Sequence, residues 1–524
     1  MTCSKWWLVL ALLWTAPADA QKQGGTLRVL HRDSPGSMSI HEEGTISTVL
    51  PAMGVFNNLV MYDQHIAKNS FDTIVPDLAT SWAWSDDGKA LTFKLRDGVT
   101  WHDGRKFTSA DVKCTLEMLA NIGKDKFKIN NRSGWYTNVE SVSVNGDLEA
   151  VLHLKRPQPS ILALLASGFT PIYACHVPQR DMRQNPIGTG PFKFVEFRAN
   201  ESMKVVRNPN YWKPGRPYLD GIEYTVVPNR STAILAFAAG KFDMTFPYEI
   251  TPPLMKDLKQ QMPEAVCEMA PLNVASNVLM NPVPPFDDLE IRRAVAMALD
   301  RKAFVDIMAE GQADIGTAMM PGPEGSWAMP EEMRRSLPGY EPDLEKRRDA
   351  ARAIMKAHGY GPDKPLKVKV TARNLPTYRD ATVILLSQLK EIWIEGEMET
   401  AETAIFQPKL IRRDYQMALS LVGNGVDDPD QSFFENYVCG SRTYMGYCNP
   451  EIDRLVVEQS MQTDREKRKK IVWEIDRRLT LDAVRPMLIY LRGGTCWRPE
   501  VKNLTIGVNS IFNAWRMEDV WLDR

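Results

Sequence analysis

Three places in this chain gather side chains able to do chemistry: His41-Glu42-Glu43, Arg373-Asn374 and Asp427-Asp428-Pro429-Asp430. The first resembles the start of a zinc-hydrolase helix, where two histidines four apart hold the metal and a glutamate activates water. Thr45 stands where the second histidine belongs. The seven histidines are scattered with no ligand spacing, and His41 alone is poor support for a nickel site. No C-x-x-C, G-x-S-x-G or G-x-x-x-x-G-K-[ST] occurs. Asp86-Asp87 and Asp287-Asp288 fall at predicted turns and caps, so they build no acid/base pair. These absences point away from an enzyme and toward binding. An Arg373 guanidinium suits a carboxylate or phosphate through two parallel hydrogen bonds, although an ordinary surface arginine competes. Arg132 with Trp135-Tyr136 makes a similar offer, and Asn424 suits a neutral hydroxyl or amide. Tyr248, in Phe246-Pro247-Tyr248, offers an aromatic face to an apolar pocket, with core packing as the alternative. Asp427 to Asp430 reads first as an exposed turn.

These residues need a large scaffold, and 524 residues exceed what one core holds, so two or three domains are expected. The net charge of −1 gives no electrostatic reason to expect a nucleic acid partner. Lys5, an apolar run from Trp6 to Trp14 and Ala18-Asp19-Ala20 describe a signal peptide, residues 1–20, cleaved after Ala20. Roughly ten apolar residues are too few to span a bilayer. Six of the seven cysteines follow that segment. In an oxidising compartment they permit disulfides, with Cys439 and Cys448, flanking a short loop, the favoured pair; the pairing of the others stays open.

The elements that position these residues begin with a strand at Thr26 to Leu30. Thr45 to Met61 reads as a helix interrupted at Pro51 or Gly54. Ser81 to Trp84 and Leu91 to Leu95 form a hairpin across Ser85 to Lys89, and Thr108 caps a helix carrying Val112, Leu116 and Leu119. Strands follow at Phe192 to Phe197, Met203 to Arg207 and Ile222 to Val227. From about residue 276 helices and strands alternate, predicting a second α/β lobe with a largely parallel sheet.

Pro76 to Trp82, then Leu91 to Gly104 and Thr108-Ser109-Ala110-Asp111-Val112, match in order and spacing the signature of the extracytoplasmic solute-binding proteins of ABC importers, family 5. Gly188 to Phe192, Asn208-Pro209-Asn210-Tyr211-Trp212 and Pro285-Phe286-Asp287-Asp288 extend the resemblance over the chain. It implies an α/β, two-lobed periplasmic binding protein fold (class II, cluster C type) with an extra β-rich subdomain. The implied division is lobe I at 21–59, 186–275 and 490–524, the subdomain at 60–185, and lobe II at 276–489. It also implies a monomer without cofactor, which captures a small organic solute by hinge closure. The solute then passes to a permease and ATPase complex in the inner membrane. A peptide receptor of the same fold is one alternative, and a periplasmic sensor or chaperone another.

Peptide-binding members of this family hold the ligand's α-amino group with an aspartate four residues before a proline. Here the proline is Pro429 and the position is Gly425, while Val422 matches the tryptophan before it. A buried ammonium needs a paired charge that glycine lacks, which shifts the expectation toward a non-peptide solute unless Asp427 serves instead. Glu43-Gly44-Thr45 matches a ligand-contacting segment, with helix capping by Thr45 as the competing reading. The expected ligand-binding set is Glu43, Gly44, Thr45, Tyr248, Arg373, Asn424 and Asp427.

Overall fold

The computed structural model describes residues 21–441 and 444–524, so the expected signal peptide lies outside the described residues. The alternating run after Gly25 forms the strand Thr26–His31, parallel to Gly221–Val226; Ser202–Arg207 pairs antiparallel with the latter, and Phe192–Arg198 antiparallel with Ser202–Arg207, completing a four-stranded sheet. The stretch read as one interrupted helix is instead a helix Ile46–Ala52, a 3-10 turn Met53–Val55 and a strand Val60–Tyr62. Beyond the 3-10 turn the Asn58 amide donates to the buried Asp77 carboxylate at 2.8 Å, and not to a helical carbonyl. The hairpin forms as Ala79–Trp84 with Ala90–Leu95, joined by Glu149–Leu154 and Val139–Val144 in an antiparallel sheet. Thr108 and Asp111 make a reciprocal capping box on the helix Ser109–Leu119.

The second half is built on five strands ordered Ile394–Ala401, Leu366–Arg373, Met417–Gly423, Val266–Met280 and Met487–Trp497. Asp288, Asp343 and Asp464 accept backbone amides at the starts of the flanking helices Leu289–Ala298, Leu344–Ala357 and Arg465–Leu481. The expectation of a largely parallel sheet is corrected: two of the four pairings are parallel and two antiparallel. Val266–Met280 brings the chain into this half and Met487–Trp497 takes it out, so the two must run in opposite directions.

Two large hydrophobic cores result, with a small cluster of Ala275, Met320, Met487, Tyr490 and Val508 beside the crossing strands. One draws on residues between 27 and 274, on Val426 and on 496–522; the other on residues between 278 and 489. The two long strands cross from one to the other. Their pairing is regular from Val266 to Pro271, then shifts between Pro271 and Ala275 and again between Ala275 and Asn277. An irregular ladder where two cores meet can absorb backbone rotation, which gives the fold its hinge. A disulfide from Cys267 to Cys496 staples these strands on the first-core side. Cys114 pairs with Cys175, and Cys439 with Cys448.

Candidate functional site

A cavity of about 120 Å³ lies beside the hinge, walled by both halves. The first half contributes Gly44, Thr45, Phe169, Tyr248 and Phe512; the second contributes Arg373, Gln431, Asn436, Tyr444 and Arg485, and Leu272, Val274 and Leu491 come from the crossing strands. The halves are in direct contact around it. Asp33 accepts hydrogen bonds from Arg373 and Thr403 across the divide, with Ser47 donating to its other oxygen at 2.5 Å. Trp135 Nε1 donates to Glu435 at 3.0 Å, and Gln158 and Ser160 donate to Asp430 at 3.1 and 2.5 Å. The lobes are therefore closed.

Gly44, Thr45, Tyr248 and Arg373 of the expected set line this cavity; Glu43, Asn424 and Asp427 do not. Thr45 occupies the N-cap position with extended backbone, yet its hydroxyl makes no capping bond and is buried without a partner. Capping is therefore not its role, and an orphaned hydroxyl at a cavity wall is available to a ligand. Tyr248 has φ of 63°, uncommon for a bulky residue, and its hydroxyl donates to Gly507 O at 3.1 Å and meets Ser510. With the hydroxyl committed, Tyr248 offers the cavity its ring.

Arg373 does hold a carboxylate, but the protein's own. Burial alone would raise the Asp33 pKa, yet the guanidiniums of Arg373 and Arg32 outweigh it and hold this carboxyl below the usual range. Glu43 accepts from Ser37 Oγ at 2.8 Å, and burial pushes its carboxyl up. Asn424 is buried behind the wall, its Oδ1 unpartnered. Asp427 faces a separate cavity of about 470 Å³, where Ser326 Oγ donates to it at 2.6 Å. The exposed-turn reading of Asp427 to Asp430 is overturned: Asp427 is half-buried, and Pro429 and Asp430 open a buried helix. Asp428 and Asp430 are buried, because Arg468 reaches them from 40 and 38 residues away, with a bidentate pair to Asp428 at 2.7 Å.

Phe512 and Arg485 were not singled out from the sequence. The Phe512 ring packs over the end of the Met417–Gly423 strand: a Cβ on Gly423 would lie 2.5 Å from Phe512 Cζ, and one on Gly425 3.0 Å from Phe512 Cβ. An aromatic ring thus covers the two glycines where a charged side chain would otherwise project. Arg485 did carry a signal, as a cation next to Pro486 at the start of a strand. His41 is buried, with Nε2 2.8 Å from the Pro171 carbonyl, and burial lowers its pKa to about 3. Among the described residues no three His, Cys, Asp or Glu side chains gather to hold a metal ion.

The model of the bacterial extracellular solute-binding proteins, family 5, matches residues 73–444. A probable di/tripeptide-binding protein of Pseudomonas aeruginosa is 25% identical over 489 residues, covering 87% of this chain and 88% of the relative. Among solved structures, OppA of Haemophilus influenzae in complex with RPPGFSPFR superposes with a TM-score of 0.85 at 20% identity, covering 96% of this chain and all (100%) of that one. The binding protein AgaA from A. tumefaciens R10, in complex with agropinic acid, superposes with a TM-score of 0.83 at 20% identity, over 95% of this chain and 99% of that one. The two-lobed α/β fold is shared with both.

Proposed function

The chain belongs to the bacterial extracellular solute-binding proteins of family 5, and from that premise we propose that it is the solute-capturing component of an ABC importer whose ligand is a small organic solute other than a peptide. In this reading the lobes are 21–59, 186–275 and 490–524 with the subdomain 60–185, closing against 276–489. The chain works in the periplasm after loss of residues 1–20, as a monomer. It delivers its solute to a permease and ATPase complex and catalyses no reaction. Gly44, Thr45, Tyr248 and Arg373 are the expected site residues that take part in binding.

The observation that carries the ligand class is Phe512 over Gly423 and Gly425. A peptide's α-ammonium would be desolvated there without the aspartate that the resemblance expects at Gly425, a cost that weighs against a peptide. Asp427 is a poor substitute, since it faces another cavity. The peptide-receptor reading is favoured by the di/tripeptide-binding name of the Pseudomonas relative and by Glu249 and Glu435 in the cavity wall.

A thermal-shift screen of the purified chain decides between them, with di- to pentapeptides, sugars, opine-like conjugates, organic acids and Ni²⁺. Solute at about 100 times its dissociation constant adds roughly 2.7 kcal/mol to stability, enough to move the melting curve. A shift with non-peptide solutes and none with peptides is expected. A shift confined to peptides would overturn the ligand class.

A further inference from the structure

We propose, building on the receptor reading above, that the solute carries a carboxylate and that Arg485 receives it. Arg485 stands in the bend just before the second crossing strand, is 94% buried (6% exposed), and lines the cavity between the lobes. Its Nη1 donates to the neutral Asn436 Oδ1 at 2.9 Å, its other hydrogen-bonding neighbour is the neutral Tyr437 hydroxyl, and its Nε is buried without a partner among the described residues. No ion pair joins it to any acid among the described residues.

The other buried arginines meet acids or backbone carbonyls, Arg132 among them through the Glu43 carbonyl at 3.1 Å. Arg516 pairs with Asp77 at 2.7 Å, Arg468 with Asp428 and Asp430, and Arg373 with Asp33. Arg301 and Arg347 donate to two and three backbone carbonyls. Asp476, on the wall of a small cavity beneath Arg485, is held by Thr317 Oγ1 and by the amides of Ala318 and Met319. A buried guanidinium without a counter-ion is costly to keep, and a fold keeps one where a ligand completes it.

The surroundings favour an anion too. Four arginines and two glutamates line the cavity among the described residues. Arg32 is committed to Glu249, and Arg373 to Asp33 behind the wall. A carboxylate presents two acceptors in the plane that a guanidinium fork matches, whereas a neutral solute would leave the charge as costly as before.

The test uses the full chain and matched probe pairs: small organic acids, opine-like conjugates and dipeptides, each beside its primary amide. Melting temperature and calorimetric affinity are read for wild type, Arg485→Gln and Arg485→Lys. The expected result is an acid that shifts the wild type while its amide does not, and a loss of at least about tenfold in affinity in Arg485→Gln, less in Arg485→Lys. Unliganded Arg485→Gln is expected to melt at or above the wild type, because a buried unpaired charge is gone; a merely structural arginine would show the reverse. Equal binding of acid and amide by the wild type overturns the proposal even if the variants fail to fold. So does unchanged acid affinity in a folded Arg485→Gln, or binding confined to phosphate esters. If only neutral solutes bind, the receptor reading stands and this inference falls; if no probe binds, both fall.

Discussion

Asp476 lies wholly buried on the Arg465–Leu481 helix, and burial pushes its carboxyl up to about 6 despite hydrogen bonds from Thr317 and the amides of Ala318 and Met319. Its folded pKa therefore stands above the unfolded value. Between about pH 4 and 6 the native state binds more protons than the unfolded chain, so this residue's contribution to stability falls as pH rises through that window. The loss is on the order of 2–3 kcal/mol, complete above about pH 6. A melting-temperature profile should show this decline in the wild type, and Asp476→Asn should abolish it. The same scale explains which site residues could not be read from sequence. Arg373 was recognisable as a carboxylate-binding type, but its partner Asp33 is 340 residues away and satisfies it from inside the protein. Asp428 and Asp430 carry every local sign of a solvated turn, and distant partners make their burial tolerable: Arg468 for both, with Gln158, Ser160, Gln459 and Ser460 donating to Asp430.

At the scale of elements, the sequence motifs turn out to hold one another. The amide of His102 donates to the Gly188 carbonyl at 2.9 Å, while its ring accepts from the Gly188 amide at 3.3 Å and meets the Gly190 carbonyl at 3.0 Å. The hairpin motif thereby clamps the turn that begins the Phe192–Arg198 strand. The turn requires glycine: a Cβ on Gly188 would overlap the Val55 carbonyl, which lies at the end of the 3-10 turn Met53–Val55. Gly188→Ala should cost about 1–3 kcal/mol, measured by urea unfolding, with the loss spread over the first core. Hairpin, capped helices and most strands were legible because turn residues, capping boxes and period-two alternation are local signals. The segment after the Ile46–Ala52 helix was read as helical although its Asn58 amide belongs to Asp77, a tertiary partner. The mixed sheet was misread because strand direction depends on how the chain enters and leaves the lobe.

At the scale of the molecule, two cores joined by two long strands make a device whose natural motion is opening and closing about the irregular ladder near Pro271 to Asn277. The buried Asp33 and Arg373 pair spans the divide and favours the closed state. Removing one partner strands a buried charge, so Arg373→Met should raise the dissociation constant for the solute, with a cost of up to about 3 kcal/mol to closure. Asp33→Asn combined with Arg373→Met should recover part of that loss, as a double-mutant cycle in calorimetry would show. The Cys267–Cys496 disulfide fixes the first-core ends of the crossing strands, so motion is confined to the segment beyond it. The most direct test of this account is solution X-ray scattering on the chain with and without a solute that raises its melting temperature. The account predicts a smaller radius of gyration on saturation, with the contraction weakened in Arg373→Met; a solute that binds tightly and leaves the radius unchanged would contradict capture by closure.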